Sequence, residues 1–297
     1  MADANWDDVR LFLAVSRAES LSGAGRTLRL DPATLGRRIA RLEQVLDTAL
    51  FVKSPQGYAL TAEGERFLTH AEQAERSIAE ASEHRKGDQL SGQIRIGAPD
   101  GCANFVLPQV CAAISAENPG LEIQIVALPR VFNLSKREAD MAVGVSPPQT
   151  GRMTVRKITD YRLHLWAARS YLDRAPRITA LQDLRDHRIV GYIPDMIFDK
   201  ELDYIADLGA GRLDLASNSV SVQFHMVNHG AGLGVVHDFA IPFGQDLVRV
   251  LPDQLSLTRA FYLIRPEDDR KLDRMNRLAD AVHSGIRAEV ARLEALA

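Results

Sequence analysis

The chain has 297 residues, enough for roughly two domains that each bury a core. Hydrophobic residues make up 46% and charged residues 25%, a globular composition that excludes a mainly disordered chain. The 36 Lys and Arg stand against 39 Asp and Glu, a net charge of −3. That balance excludes a protein that coats nucleic acid through bulk positive charge, and it leaves room for a local basic face.

The first residues, Met1 to Asp8, are acidic and polar, without the basic start and apolar run of a secretory signal. No apolar run approaches the ~18 residues of a membrane span. The two cysteines, Cys102 and Cys111, follow no metal-binding or CxxC spacing. The expectation is a soluble cytoplasmic protein in a reducing compartment.

Trp6, Val9, Phe12, Leu13 and Ser16 recur at helical spacing and predict a first amphipathic helix. Ser20 can cap a second, short helix to about Leu28, in which Gly23 and Gly25 suit close approach by another helix. Asp31 is a good N-cap and Pro32 a good first helical residue for a third. There Leu35, Ile39, Leu42 and Leu46 form one apolar stripe, and Thr34, Arg37, Arg38 and Arg41 lie off it. Between Arg26 and Arg41 there are five arginines and one acid, Asp31. A solvated basic face is the bland reading of such a run. The helix-turn-helix spacing favours DNA, because a helix in the major groove needs exposed donors on its outer side.

Leu50 to Thr61 reads as a hairpin, or wing, with Lys53 and Gln56 near a Ser-Pro-Gln-Gly turn, placed to follow phosphates or enter the minor groove. Residues 61–90 predict one long helix. Its seam, Phe67, Ala71, Ala74, Ile78 and Ala81, either packs on the chain's own core or forms a dimer contact, and the stripe's length favours the dimer. Residues 87–92 look like a hinge.

From Gln93 the pattern becomes α/β. Strands are expected at Ile94–Gly97, Leu121–Val126, Met141–Val145, Leu163–Ala167, Ile189–Tyr192, Leu233–Val236 and Phe261–Ile264, with a helix over about Phe105–Glu117. The alternation predicts two small lobes with a cleft.

These residues carry a resemblance. Leu11-Phe12-Leu13-Ala14-Val15, Ser20-Leu21-Ser22-Gly23-Ala24-Gly25, Leu28, Thr34-Leu35-Gly36-Arg37-Arg38-Ile39 and Leu42-Glu43 are similar to the helix-turn-helix of LysR-type transcriptional regulators. Leu50-Phe51, Gly57-Tyr58-Ala59-Leu60-Thr61 and Glu63-Gly64 resemble that family's wing and linker-helix start. Ile94–Gly97, Leu107-Pro108, Asn118-Pro119, Glu138–Ala142 and Gly230–Gly234 follow in family order. The chain departs from the family where Asp31-Pro32-Ala33-Thr34 replaces the usual Ser-Gln-Pro at the recognition-helix start. A Gln is missing at position 32, and Gly36 replaces a usual Ser.

The resemblance implies an α/β multidomain fold: a winged helix-turn-helix over 1–61, a linker helix over 62–90, and a two-lobed effector-binding domain over 91–297, similar to periplasmic binding proteins. Lobe I would span 92–162 and 265–297, and lobe II 163–264. It implies DNA contacts from Ala33, Thr34, Gly36, Arg37, Arg38, Arg41, Lys53 and Gln56, with Arg37 the clearest match. It places the effector among Pro99, Asp100, Gly101, Cys102, Arg130, Ser146, Tyr192, Ile193 and Gly232. The partners it implies are double-stranded DNA with dyad symmetry, a small-molecule effector, further copies of the chain as dimer or tetramer, and RNA polymerase. Effector binding would act by population shift.

Asp100, near a helix start, argues against a carboxylate effector, and Arg130 argues for one, so the effector's class stays open. His225, His229 and His237 suggest a metal site only faintly, since no acid or Cys completes a ligand set. The Gly230–Gly234 run precedes a strand, unlike a dinucleotide loop. Cys102 and Cys111, if on one helix, lie too far apart for a disulfide, which leaves only a thiol switch. No nucleophile elbow, phosphate loop or paired carboxylates are legible, so no catalytic residue, metal or cofactor is assigned. The alternatives are a small-molecule-binding (solute-binding) protein and an enzyme with an unrecognised site.

Overall fold

The structure, a computed structural model, describes residues 4–54, 57–83, 89–127, 139–148, 152–204 and 213–297. The chain divides into two compact units, Met1–Asp88 and Gln89–Ala297. Among the described residues no helix is long and apolar enough to cross a membrane.

The first unit begins with three capped helices: α1 (Trp6–Ala18), α2 (Leu21–Leu28) and α3 (Pro32–Leu46). Asn5 accepts from the Asp7 N–H, Ser20 from the Gly23 N–H and Asp31 from the Thr34 N–H, at 2.8, 3.1 and 3.1 Å. Each cap satisfies an otherwise orphaned donor. Strands β1 (Phe51–Ser54) and β2 (Gly57–Leu60) form the antiparallel wing. Gly57 adopts φ +137°, and a Cβ there would lie 2.5 Å from the Glu19 carbonyl oxygen. Only glycine lets the wing turn against the end of α1.

Helix α4 (Ala62–Glu83) follows. A Cβ at Gly64 would overlap the Leu50 carbonyl oxygen, so glycine lets α4 meet the wing closely. Phe12, Leu13, Leu35, Ile39, Leu42 and Leu50 form the core, and Ala71 from α4 joins it. Phe67 packs edge-on against Phe12, with centroids 5.1 Å apart. The seam of α4 is therefore divided: Phe67 and Ala71 pack on this unit's own core, while Ile78 is 48% exposed. The Ala81 side chain and residues 84–88 fall outside the described set.

In the second unit, β3 (Ser91–Ala98) leads into α5 (Asp100–Phe105), α6 (Leu107–Glu117) and β4 (Gly120–Ala127). The helix expected over about 105–117 is α6, and the short α5 comes before it. Val106, at φ −119°, breaks the run just before Leu107-Pro108, where a proline without an N–H suits the first turn of a new helix. Next come β5 (Met141–Gly144), β6 (Met153–Ala168), the short α7 (Arg169–Leu172), β7 (Ile189–Gly191), β8 (Leu215–Ala216), α8 (Val220–Asn228), β9 (Leu233–His237), β10 (Leu247–Val250), β11 (Ser256–Pro266) and α9 (Asp273–Glu294).

The strands form one mixed sheet in the order β4-β3-β5-β11-β6-β9-β7-β8, with β10 also on β6. Strand β6 has 16 residues rather than the five expected, and it pairs antiparallel with β11 from Met153↔Pro266 to His164↔Ser256. These two strands cross between halves. Tyr262–Ile264 of β11 pair with β5, while Leu163–Trp166 of β6 pair with β9. The register shifts between Phe261 and Tyr262, at the crossing. Helix α9 lays Met275, Ala279, Val282, Ile286, Val290 and Leu293 onto the common core at helical spacing.

Candidate nucleic-acid interface and ligand cavity

Helix α3 buries Leu35, Ile39 and Leu42. Opposite them, Ala33, Arg37, Ala40 and Gln44 are exposed at spacings of four, three and four, which makes one outward stripe. Arg37 lies at its centre and donates to the Thr34 hydroxyl at 3.3 Å. Gln44 on this stripe was not singled out from sequence, although its spacing from Arg37 and Ala40 carried the signal.

Arg38 and Arg41 flank the stripe and have a common partner. Asp8 of α1, 2% exposed, accepts from Arg38 Nε through Oδ1 and from Arg41 Nε through Oδ2, the latter at 2.8 Å. A buried carboxylate is costly unless paired and hydrogen-bonded, and the two guanidinium groups supply that pairing. The basic patch is therefore less uniform than the expected exposed arginine face. Counting charge from Arg26 to Arg41 cannot register an acid 30 residues from its partner on another helix. Gly36 is half-buried within α3, and Ala33 and Thr34 stand in its first turn. The Lys53 side chain and Gln56 lie outside the described residues.

The second unit encloses a cavity where its halves meet at the crossing strands. Pro99, Asp100, Gly101 and Cys102 line it from the β3–α5 corner, and Val145, Tyr161 and Phe261 from the crossing. Tyr192, Phe198, Leu202, Asn218, Val220 and His237 complete the lining. The free volume is about 10 Å³, room for one water molecule. Tyr161 stacks on Phe261 with centroids 4.2 Å apart and on His237 at 5.4 Å. Burial pushes the His237 pKa down to about 3, so its ring is neutral at pH 7. Tyr161 Oη and His237 Nδ1 are buried and have no hydrogen-bond partner among the described residues.

Of the residues expected at an effector site, Pro99, Asp100, Gly101, Cys102 and Tyr192 line this cavity. Ser146 does not; its hydroxyl donates to the Asp199 carboxylate instead. Ile193 instead precedes a short 3-10 turn at Pro194–Met196. Gly232 is a packing glycine, since a Cβ there would overlap the Arg188 carbonyl oxygen. Arg130 lies outside the described residues. Tyr161 and Phe261 were not anticipated, because their place on the cavity wall depends on where two long strands cross.

Cys102 and Cys111 sit on α5 and α6 rather than one helix, so a single-helix separation does not apply to them. Both are free and buried. Burial pushes the Cys111 thiol up to about 11 and the Cys102 thiol higher still, which keeps both protonated and unreactive at neutral pH. His225 and His229 stack on one another in and just after α8, while His237 belongs to β9. Among the described residues no group of His, Cys, Asp and Glu is arranged to hold a metal ion.

Residues 6–65 match the family model described as a bacterial regulatory helix-turn-helix protein of the lysR family, and residues 87–287 match the LysR substrate binding domain. The chain belongs to the LysR family. This LysR-family protein is thus a DNA-binding transcriptional regulator with an effector-binding domain, and its family consists of regulators rather than enzymes.

The HTH-type transcriptional regulator DgdR of Burkholderia cepacia is 34% identical over 148 residues, 49% of this chain and 50% of that one. The HTH-type transcriptional activator TtdR of Escherichia coli K12 is 26% identical over 264 residues, 83% of this chain and 82% of its own. The full-length LysG structure from Corynebacterium glutamicum, which holds its effector arginine, superposes with a TM-score of 0.63 at 18% identity, covering 95% of this chain and 98% of that one. That last likeness concerns the fold.

Proposed function

We propose that this regulator binds a dyad-symmetric DNA site as a homodimer joined through α4, with α3 of each copy in a major groove and Arg37 reading a base edge. Pairs of dimers form a tetramer and present the promoter to RNA polymerase. A small effector enters the cavity between the halves of the second unit and biases the arrangement of the dimers by population shift.

The observation that carries the DNA-reading part is the outward stripe of α3, directly opposite its buried one. Arg37 is the arginine at its centre, and an exposed arginine can meet a guanine edge with two donors. Ala33, Thr34 and Gly36 bring the first turns of α3 near the groove. Lys53 and Gln56 belong to the wing, which follows the neighbouring backbone.

Footprinting on the DNA beside the regulator's own gene should reveal a protected site with two half-sites about one helical turn apart. On that site Arg37→Ala should weaken binding by about 1–3 kcal/mol and relax sequence preference at one position of each half-site. Unchanged affinity in a gel shift would sink the assignment.

A further inference from the structure

The chain between Tyr192 and Tyr204 forms a loop whose ends meet. The two buried tyrosine rings pack edge-on, with centroids 6.0 Å apart. Between them run two short 3-10 turns, Pro194–Met196 and Lys200–Leu202. The backbone of these residues bonds to itself. The Met196 N–H donates to the Ile193 carbonyl and the Leu202 N–H to the Asp199 carbonyl, each at 3.0 Å, and the Ile197 and Asp203 N–H groups also find partners within the loop. A compact surface loop with adjoining ends, whose backbone bonds are its own, can leave its seat without breaking a ladder in the flanking elements.

Side chains hold the loop down, and they do so beside the cavity wall. Phe198 and Leu202 are wall residues, and next to each stands an acid with a partner outside the loop. Asp199, beside Phe198, accepts from the Ser146 hydroxyl. Glu201, beside Leu202, meets Arg259 twice. Arg259 Nε lies 3.0 Å from the Glu201 carboxylate and donates to the Glu201 carbonyl, also at 3.0 Å. The same guanidinium sits 5.9 Å from the centroid of the Tyr204 ring. Both outside partners flank the wall in their turn. Ser146 follows Val145, and Arg259 stands two residues before Phe261, on the same face of β11.

We propose that residues 193–203 are a strap over the cavity that opens as one unit, with Asp199–Ser146 and Glu201–Arg259 as its two latches. Opening withdraws Phe198 and Leu202 from the wall together, and the paired tyrosines at its ends serve as the hinge. The free volume of about 10 Å³ is then that of the shut form. Glu201 and Arg259 are partly exposed, so their charges regain water on release and the latch opens readily. Burial of Leu202, 3% exposed, favours the shut form. The regulatory meaning of the strap rests on the cavity being the effector site; its opening does not, and is read without any effector.

Cys102 supplies the readout in the full-length protein. It lies in the cavity wall and is fully buried, and burial keeps its thiol protonated, so modification requires an opening. Cys111, on α6, reports openings elsewhere in the same unit. Iodoacetamide is added, and the modification of each cysteine is followed by mass spectrometry. Ser146→Ala and Arg259→Gln should each raise the Cys102 rate by about threefold, the worth of one weak hydrogen bond or surface ion pair. The double variant should reach about tenfold, since two latches on one unit add. The Cys111 rate and the melting temperature should change little. Trypsin cleavage after Lys200, exposed within the strap, should accelerate by the same factors, because both probes read one opening.

A double variant whose Cys102 reacts at the wild-type rate would overturn the proposal. So would equal acceleration of Cys102 and Cys111, which reads opening of the whole unit, or factors at Lys200 that differ from those at Cys102. If Arg259→Gln fails to fold, Glu201→Gln removes the same ion pair from its more exposed side and carries the same expectation. The double variant modified at Cys102 holds a small group in the cavity wall. An operator footprint unchanged by that group would uphold the strap while overturning the cavity as the regulatory site.

Discussion

Asp8 decides which arginines of α3 are available to DNA. It is buried at the base of the patch and engages both Arg38 and Arg41, while Arg37 points outward. The Arg38 and Arg41 side chains are 33% and 52% exposed against 3% for the Asp8 side chain, so the carboxylate is the desolvated member. This geometry holds the flanking arginines in fixed positions, where they could approach phosphates in register instead of sweeping the surface. Asp8→Asn should release them. Binding to nonspecific DNA should tighten, and its dependence on log salt should steepen by up to about two phosphate equivalents, roughly 0.9 each. The ratio of specific to nonspecific affinity should fall. A salt titration on random duplex measures this, and an unchanged slope would contradict the restraining role.

At the scale of elements, α4 performs two tasks along one stripe. Phe67 and Ala71 complete the winged unit's core, and the stripe then continues to Ile78, which is 48% exposed. Phe67→Ala should therefore destabilise the first unit, by about 2–4 kcal/mol from lost burial and a residual cavity. Ile78→Asp should leave that unit's melting nearly unchanged and weaken self-association. Sedimentation and thermal melting of both variants separate the two effects; a loss of folding in the Ile78 variant would place it in the core instead.

The elements also differ in how well the sequence announced them. The caps Ser20 and Asp31, and the stripe of α3, were legible because a 3.6-residue period and an N-cap are local signals. The full length of β6 was not. Its first half carries Arg156, Lys157 and Asp160 and is largely exposed, while its second half is buried, so no single alternation runs through it.

For the whole molecule, the two units have separate sets of buried side chains. The second is threaded by β6 and β11 and closed by α9, which joins a core that spans both halves. A fragment of residues 89–297 should thus fold and melt cooperatively by itself, without operator binding. Ending it before Asp273 would remove α9, strip a row of buried apolar side chains from the sheet and leave the fragment unfolded. Circular dichroism melts of the two fragments check both statements. A folded protein lacking α9 would show that the sheet does not need this helix.

The sequence by itself determined the order of the elements, the caps that start the helices, the recognition-helix face and, through its motifs, the family. It also singled out Pro99, Asp100, Gly101, Cys102 and Tyr192, which the structure gathers around one cavity. Only the tertiary structure decided that Asp8 binds Arg38 and Arg41, that Asp100 caps a helix more than a hundred residues away, and that Tyr161, Phe261 and His237 share one cavity. The physical reason is the range of each interaction. Periodicity and capping are set by neighbours within a turn or two of the chain. The partner of a buried charge, by contrast, is set by which elements pack together, and a residue's own neighbours in sequence carry no record of that.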